Sequence, residues 1–264
     1  MYDFTYRKAS SPDEAAKVFA SADDATYMAG GMTLIPTLKQ RLASPSDVID
    51  LGPASELAGI KAGGNNITIG AMTTHATVAA SADVRNTIPA LASLAGGIGD
   101  PAVRHRGTIG GSVANNDPAA DYPSAVLGLG ATVHTNKRDI AADDFFVGMF
   151  ETALEEGELI TGFTFPLPET AAYSKFPNPA SRYAVVGVFV AKTGSGVRVA
   201  VTGAGPSVFR ATEMEAALSV DFSAKALDGI TVDASGLNSD IHASAEYRAH
   251  LVGVMAKRAV EAAA

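Results

Sequence analysis

The sequence predicts a mixed protein of helices and strands, and its pattern alone fits both the α/β and the α+β class. Residues 27–42 have the pattern of a short strand, a pair of glycines and a helix. Residues 183–202 have the pattern of two apolar strands joined by a glycine-rich turn, and helical patterns near 211–218 and 244–262 close the chain. The 264 residues, 47% of them hydrophobic, are sufficient for one large domain or two modest ones.

The remaining elements follow from capping and periodicity. Ser11, Pro12 and Glu14 form a capping box with proline at the first helical position, which predicts a helix over residues 10–21. Residues 166–168, Pro-Leu-Pro, are the best candidate for a linker. The other predicted elements are strands at 48–51, 131–135 and 158–165, a hairpin at 60–69, and helices from Thr73 or Thr74 to about 81, at 89–95 and at 118–129.

The first glycine pair, Gly30-Gly31, lies between a predicted strand and a helix that Thr33 would cap. A strand that enters a helix N-terminus through glycines can bind an anion, because backbone N–H groups and the helix dipole both point toward it. Neither G-x-G-x-x-G nor G-x-x-x-x-G-K-[ST] occurs in the chain, so the Rossmann fingerprint and the P-loop are both unsupported. Any phosphates would therefore be bound by two separate glycine turns.

The second glycine pair, Gly110-Gly111, lies in the stretch GGIGDPAVRHRGTIGGSVANNDPAADYP at residues 96–123. Adjacent glycines allow close approach of the backbone to a ligand, and consecutive free N–H groups suit phosphate oxygens. A carboxylate such as Asp121 could accept hydrogen bonds from ribose or ribityl hydroxyls. The alternative is a tight loop that caps a helix near Pro118, and this stretch alone leaves both interpretations open.

Composition excludes several functions. Twenty Lys and Arg against 28 Asp and Glu give a net charge of −8, which disfavours nucleic acid or an anionic membrane as a general partner. The chain has no cysteine, so it contains neither disulfides nor a cysteine-ligated iron–sulfur cluster. Without a signal peptide or a long apolar span, a cytoplasmic protein with no transmembrane segment is expected.

No constellation for acid–base, hydrolytic or metal chemistry stands out. The five histidines are scattered without metal-ligand spacing, and no G-x-S-x-G motif occurs. The acidic residues at 143–144 and at 155, 156 and 158 are interpreted as solvated turns. No catalytic residue and no metal ligand are therefore predicted in this chain.

Three segments, AGGMTLIPTLKQRLASPSDVIDL, GAMTTHATVAAS and GDPAVRHRGTIGGSVANNDPAADYPSAVL, together resemble the FAD-binding medium subunit of the molybdenum hydroxylases. Carbon monoxide dehydrogenase and the bacterial xanthine dehydrogenase-type enzymes belong to that family, and the resemblance extends from Phe4 to the last helix. It implies an α+β fold with an FAD-binding domain at 1–168, divided into two subdomains near 55. A C-terminal flavoprotein domain at 169–264, built of a hairpin or sheet and helices, would follow.

The resemblance also implies roles for individual residues. The first pyrophosphate loop corresponds to Ala29, Gly30, Gly31, Met32, Thr33 and Leu34, and the second to Thr108, Ile109, Gly110, Gly111 and Ser112. Asp121 matches a carboxylate that holds the flavin's sugar-alcohol region, and Ile98 and Ile160 match apolar positions that line the cofactor. Lys175 and Tyr183 match residues near the flavin ring. Two positions depart from the family pattern. Met32-Thr33 replaces a polar residue and serine, which backbone phosphate binding should tolerate, and Ser181-Arg182 replaces Gly-Asp near the flavin ring.

In function, the resemblance implies an electron-transfer subunit with FAD. The substrate would be oxidised at a molybdenum cofactor in a large molybdopterin subunit, and electrons would pass through two [2Fe–2S] clusters of a small subunit to FAD. A quinone, NAD or oxygen would then accept them, and the complex would be a dimer of heterotrimers. The alternatives are a self-contained flavin oxidoreductase with the same fold and a non-catalytic nucleotide-binding or assembly subunit.

Overall fold

The N-terminal unit of the protein, in a computed structural model that describes residues 1–263, is a small parallel sheet flanked by helices. Ser11 begins the first helix because its hydroxyl accepts a hydrogen bond from the Glu14 N–H at 3.1 Å, as the capping box predicts. The strands lie in the order β1-β3-β2. The elements are β1 (Thr5–Lys8), α1 (Pro12–Ala20), β2 (Ala25–Met28), α2 (Leu34–Lys39) and β3 (Asp47–Asp50), followed by a 3₁₀ turn at Ser55–Leu57.

The central unit is a five-stranded antiparallel sheet covered by short helices. Its strands are β4 (Ile60–Gly63), β5 (Asn66–Gly70), β6 (Thr132–Thr135), β7 (Asp139–Ala141) and β10 (Ile160–Pro166), in the order β4-β5-β10-β6-β7. Its helices are α3 (His75–Ala80), α4 (Ala82–Thr87), α5 (Pro89–Gly96), α6 (Pro101–Arg106), α7 (Ile109–Asn115), α8 (Tyr122–Gly128) and α9 (Ala142–Phe145). A two-stranded ribbon, β8 (Phe146–Gly148) with β9 (Glu151–Thr152), projects beside the sheet.

The C-terminal unit is a four-stranded antiparallel sheet with a long helix packed on it. Its elements are β11 (Thr170–Pro177), β12 (Ala184–Thr193), β13 (Gly196–Thr202), β14 (Phe209–Arg210), α10 (Thr212–Val220) and α11 (Ala245–Ala263), with 3₁₀ turns at Ala224–Leu227 and Ala234–Gly236. Valines dominate the buried face of β12 and β13, which suits a sheet covered on both faces. The α+β class is thus confirmed.

The hydrophobic core consists of three clusters, around Ile49 in the first unit, Phe163 in the second and Val188 in the third, and the cluster around Phe163 also includes Phe189 and Ala200 of the C-terminal sheet. The proline-rich stretch at 166–168 connects the end of β10 to the start of β11. The domain boundaries near 55 and at 168 stay predictions, and residue 264 lies outside the described part of the chain. Across residues 1–263, no helix is both long enough and apolar enough to cross a membrane.

Two expectations about helices are wrong. Residues 109–115 form helix α7 rather than a glycine loop, because Thr108 caps its N-terminus and Gly110 allows it to pack closely on residue 71. Consequently, the following helix starts at Tyr122 and not near Pro118. The strand β11 and the helices α4 and α6 had no counterpart in the sequence prediction.

Candidate functional site

A cavity of about 580 Å³ is lined by residues from all three units. Its walls come from the loop between β2 and α2, from the helices α3, α6 and α7, and from the loop that precedes β12. Of the residues predicted to bind FAD, all but Ile109 and Lys175 line this cavity. The lining members are Ala29, Gly30, Gly31, Met32, Thr33, Leu34, Ile98, Thr108, Gly110, Gly111, Ser112, Asp121, Ile160 and Tyr183.

The loop between β2 and α2 presents a row of free backbone donors. Within residues 1–263, none of the five consecutive N–H groups from Gly30 to Leu34 donates a hydrogen bond. Gly31 adopts the left-handed conformation, with φ of +72°, which turns the chain so that successive N–H groups can converge. Thr33 occupies the N-cap position of α2 but makes no side-chain cap, contrary to the sequence prediction. The loop therefore offers its N–H groups, and not a hydroxyl cap, to a ligand.

The same loop packs directly on the end of α6. A Cβ atom built on Gly30 would lie 1.9 Å from the carbonyl oxygen of Arg106 and 2.9 Å from the Cα of Gly107. Glycine is therefore required at position 30 by contact between two backbone segments. The first glycine pair joins the N-terminal unit to the central unit at the cavity wall.

The N–H groups of the second glycine pair, unlike those of the first, have partners within the protein. The N–H of Gly110 donates to the carbonyl of Ala71 at 2.8 Å, and a Cβ on Gly110 would lie 2.6 Å from the Ala71 Cβ. The N–H of Gly111 donates to Thr108 Oγ1 at 3.1 Å, while Ile109 is fully buried. These N–H groups already have partners in the protein. Helix α7 therefore forms part of the cavity wall, but these two glycines offer no free N–H donors to a ligand.

The two glycines of α7 should respond differently to alanine. We expect Gly110→Ala to lower the free energy of unfolding by about 1–3 kcal/mol, since the new methyl group overpacks against Ala71. Gly111→Ala should change it by less than about 1 kcal/mol. Its Cβ would lie 3.1 Å from Thr108 Oγ1 and 3.4 Å from the Ala29 Cβ, and alanine is favoured inside a helix. Urea denaturation of both variants measures the difference; equal losses would contradict this packing argument.

Asp121 is buried, 4% exposed, and is neutralised by protein groups. Its carboxylate accepts from Lys175 Nζ at 3.0 and 3.2 Å and from the Tyr173 hydroxyl at 2.5 Å. Burial raises the pKa of Asp121, while the charge of Lys175 and the two hydrogen bonds act in the opposite direction. Lys175 Nζ also donates to the carbonyls of Gly97 and Arg182, at 3.0 and 2.9 Å. Lys175 therefore does not line the cavity but stabilises its wall through these hydrogen bonds.

The loop before β12 contributes Ser181, Arg182 and Tyr183 to the cavity wall. Tyr183 is 45% exposed, and the pKa of its hydroxyl is raised by burial and by the charges of Asp117 and Asp121. Arg182 has a φ of +63°, unusual for a residue with a side chain, and its Nη1 donates to the Gly99 carbonyl at 3.1 Å. This hydrogen bond links the C-terminal unit to the central unit across the cavity rim.

Sequence reasoning missed several polar lining residues, among them His75 and Glu158. His75 is buried against Tyr122, and burial, followed by the charge of Arg104, lowers its pKa to about 4, so it is neutral near pH 7. The motif GAMTTHATVAAS contains His75 and could have marked it. Glu158, expected in a solvated turn, is buried. Burial alone would raise its pKa, but hydrogen bonds from Arg138, from the Glu155 N–H and from Thr135 outweigh burial and lower it to about 2.

Other chemistry finds no support in the geometry. In the described range, no group of three or more His, Asp or Glu residues is placed to bind a metal ion. His134, a candidate by type only, is hydrogen bonded to Asp139 and Thr164. The cavity wall thus combines free N–H groups, a neutralised carboxylate and an exposed tyrosine.

Comparison with known proteins identifies relatives along nearly the whole chain. Residues 2–168 match the family model described as the FAD binding domain in molybdopterin dehydrogenase, and residues 171–263 match the CO dehydrogenase flavoprotein C-terminal domain. The carbon monoxide dehydrogenase medium chain of Afipia carboxidovorans is 34% identical, over 98% of this chain and 95% of that protein. The nicotine 6-hydroxylase medium subunit of Paenarthrobacter nicotinovorans is 35% identical, over 97% and 95%.

Solved structures agree with these matches. A crystal structure of Cu,Mo-CO dehydrogenase in its cyanide-inactivated form contains a chain that superposes with a TM-score of 0.91 at 33% identity, covering 100% of this chain and 98% of that one. Quinoline 2-oxidoreductase from Pseudomonas putida 86 gives a TM-score of 0.89 at 30% identity, covering 99% and 96%.

Proposed function

This chain belongs to the FAD-binding medium-subunit family of the molybdenum hydroxylases, an oxidoreductase family, and we propose that it transfers electrons from a partner's iron–sulfur clusters through FAD to a terminal acceptor. FAD is the cofactor of the family. The medium chains and subunits among its relatives are components of multi-subunit enzymes. The substrate, the acceptor and the partners of this chain are part of the proposal.

The row of free N–H groups from Gly30 to Leu34 is the observation that carries the proposal. A pyrophosphate needs several converging donors, and five unpartnered N–H groups at a cavity wall meet that need without a lysine or arginine. In the proposed arrangement Ala29 to Leu34 hold the pyrophosphate, and Thr108 to Ser112 form the facing wall. The cavity volume of about 580 Å³ is within the range of cofactor sites.

Other residues would bind the remaining parts of the cofactor. Asp121 retains acceptor capacity for a hydroxyl of the ribityl chain, because a carboxylate has about four lone-pair sites and the protein uses three. Ile98 and Ile160 supply apolar surface, and Tyr183 would lie beside the isoalloxazine ring. Lys175 acts indirectly, since it fixes the position of Asp121 and of the Arg182 carbonyl.

FAD, when bound, supplies the redox chemistry, because it exchanges electrons both singly and in pairs. The chain's residues orient the cofactor, limit water access and set the local charge. No nucleophile or general acid is required of them. Cysteine thiolates are the usual ligands of [2Fe–2S] clusters, and the chain has no cysteine, so the clusters must belong to another subunit.

We propose a small [2Fe–2S] subunit and a large molybdopterin subunit as the partners, assembled with this chain as a dimer of heterotrimers. The similarity to medium chains of such complexes supports this composition. The competing proposal is a self-contained flavin oxidoreductase, in which a lining group such as Asp117, Tyr183 or His75 would have to serve as the acid or base for substrate oxidation.

An anaerobic stopped-flow experiment tests the proposal. We expect the purified chain to show the visible spectrum of bound FAD but no bleaching with carbon monoxide, purines, aldehydes or N-heterocycles. Co-expression with the small and large subunits should give substrate-dependent bleaching. Rapid bleaching of the isolated chain would favour the self-contained oxidoreductase, and a colourless chain that cannot be loaded with FAD would favour a non-catalytic assembly subunit.

A further inference from the structure

A second cavity of about 470 Å³ adjoins the first. The two share Asp117, Ser181 and Tyr183, so Tyr183 belongs to the walls of both. The second cavity is also lined by the β8–β9 turn, by the start of β12 and by the loop that precedes α11. A ligand in it would be next to whatever occupies the Tyr183 end of the first cavity.

Two exposed apolar side chains on a fixed turn line the second cavity. Met149 and Phe150 are 52% and 58% exposed at the tip of the β8–β9 ribbon. Phe150 has a φ of +55°, and its N–H donates to the carbonyl of Asn116. The buried Asn116 side chain in turn donates to the carbonyls of Gly148 and Glu151, each at 2.8 Å. The turn is thus fixed from both sides, and strain of this kind is typical of functional positions.

The inner wall is polar but has no uncompensated positive charge. Arg248 is 4% exposed and forms a two-pronged ion pair with Asp240 at 2.8 and 2.7 Å. Its Nη1 donates to the carbonyls of Val185 and Gly203, and its Nε–H has no acceptor in the part of the chain that the structure describes. Since Asp117 adds a further carboxyl group, this wall does not suit a pyrophosphate.

We propose that the second cavity binds a neutral, planar quinone-type electron acceptor, with its ring packed against Phe150 and Tyr183, which both line the cavity. Aromatic side chains favour contact with such a ring. A nicotinamide dinucleotide would place its pyrophosphate against carboxylates. The proposal rests on the proposed function, because the electrons come from reduced FAD in the first cavity.

The electron balance is simple. Two electrons and two protons leave the reduced flavin, which returns to its oxidised form, and the same two electrons and two protons convert the quinone to a quinol. No further reactant is needed. The cavity residues bind and orient the quinone next to Tyr183, and none of them is consumed.

Binding can be measured without turnover because the chain contains no tryptophan. Phe150→Trp provides a single tryptophan, which can be excited selectively, and keeps an aromatic ring at that position. In the FAD-loaded chain with oxidised flavin, menadione should quench this fluorescence with saturation, and NAD⁺ should not. Quenching by menadione that rises linearly without saturation, or saturable quenching by NAD⁺ alone, would overturn the proposal.

Two substitutions of serine by tyrosine, each added to the Phe150→Trp chain, provide a variant with a blocked second cavity and a matched control. Ser239 is exposed and lines the second cavity, whereas Ser44 is exposed and lines neither cavity. Ser239→Tyr should weaken menadione binding at least about tenfold through steric conflict, and Ser44→Tyr should not alter it. Equal affinities in the two variants would overturn the proposal.

A kinetic measurement on the same variants separates this proposal from the proposed function. After anaerobic photoreduction, flavin reoxidation by menadione should slow in the Ser239→Tyr variant, while reoxidation by ferricyanide stays unchanged. If all variants load FAD but menadione reoxidation is equal, the second cavity is not the acceptor site and the proposed function stands. If Ser239→Tyr instead prevents assembly with the partner subunits and leaves menadione binding intact, the cavity is a docking face and the acceptor proposal is wrong. Failure of every variant to load FAD would contradict the proposed function itself.

Discussion

Replacing Gly30 by alanine is expected to lower FAD affinity at least about a hundredfold, which corresponds to about 2.8 kcal/mol at 1.4 kcal/mol per tenfold. The new Cβ would lie 1.9 Å from the carbonyl oxygen of Arg106. Because this oxygen belongs to the backbone, the clash cannot be removed by the rotation of a side chain. The loop from Gly30 to Leu34 must therefore move away from α6, and its five N–H groups would lose their common direction. Titration of the apo chain with FAD, followed by flavin absorbance or fluorescence, measures the change.

A matched control isolates the steric cause. Gly30 is not in the left-handed region, so alanine is conformationally acceptable there and only the contact with Arg106 opposes it. Gly63→Ala introduces the same methyl group at a site with no atom within 4 Å, and it should leave FAD affinity unchanged. If Gly30→Ala binds FAD as tightly as Gly63→Ala while circular dichroism shows both folded, the loop does not hold the pyrophosphate.

Local signals in the sequence predicted local structure well. The strand, glycine pair and helix around Gly30, the capping box at Ser11, the N-cap at Thr74 and the β12–β13 hairpin all depend on residues a few positions apart. The position of α11 also followed from its apolar periodicity. In each case the stabilising contact lies within one element or between neighbours in the chain.

The failures involve contacts between distant residues. Gly110 was interpreted as part of a phosphate turn because adjacent glycines allow a ligand to approach the backbone closely. Its tight contact with Ala71, which the local pattern does not show, makes glycine the residue that fits α7 there. Glu158 was likewise misjudged from the local pattern. It was expected in a solvated turn, but its side chain is buried and forms an ion pair with Arg138 at 3.1 Å. The Gly30–Arg106 contact and the Lys175–Asp121 pair likewise join residues far apart in sequence.

Replacing Lys175 by methionine is expected to lower the free energy of unfolding by about 3–5 kcal/mol at neutral pH. Both side chains of the Lys175–Asp121 pair are almost inaccessible, so the variant would leave the Asp121 carboxylate buried with only the Tyr173 hydroxyl as a partner. Lys192→Met is the control. Its ion pair with Glu169 at 3.0 Å is half exposed, and its loss should cost less than about 1 kcal/mol. Urea denaturation of the apo chains gives both values.

The pH dependence of this loss identifies its cause. Burial raises the pKa of Asp121 above its unfolded value, so its contribution to stability declines as pH rises toward the folded pKa. The charge of Lys175 lowers the pKa of Asp121 in the folded state, so this pKa is higher still in the Lys175→Met variant. At a given pH, a larger fraction of Asp121 is therefore protonated in the folded variant than in the folded parent chain. The destabilisation by Lys175→Met should therefore be small at about pH 5 and grow toward about pH 8. Adding Asp121→Asn to Lys175→Met should remove most of this slope, because no carboxylate is left to ionise. A loss that is equal at both pH values would instead mean that Lys175 stabilises the fold through its bonds to the Gly97 and Arg182 carbonyls.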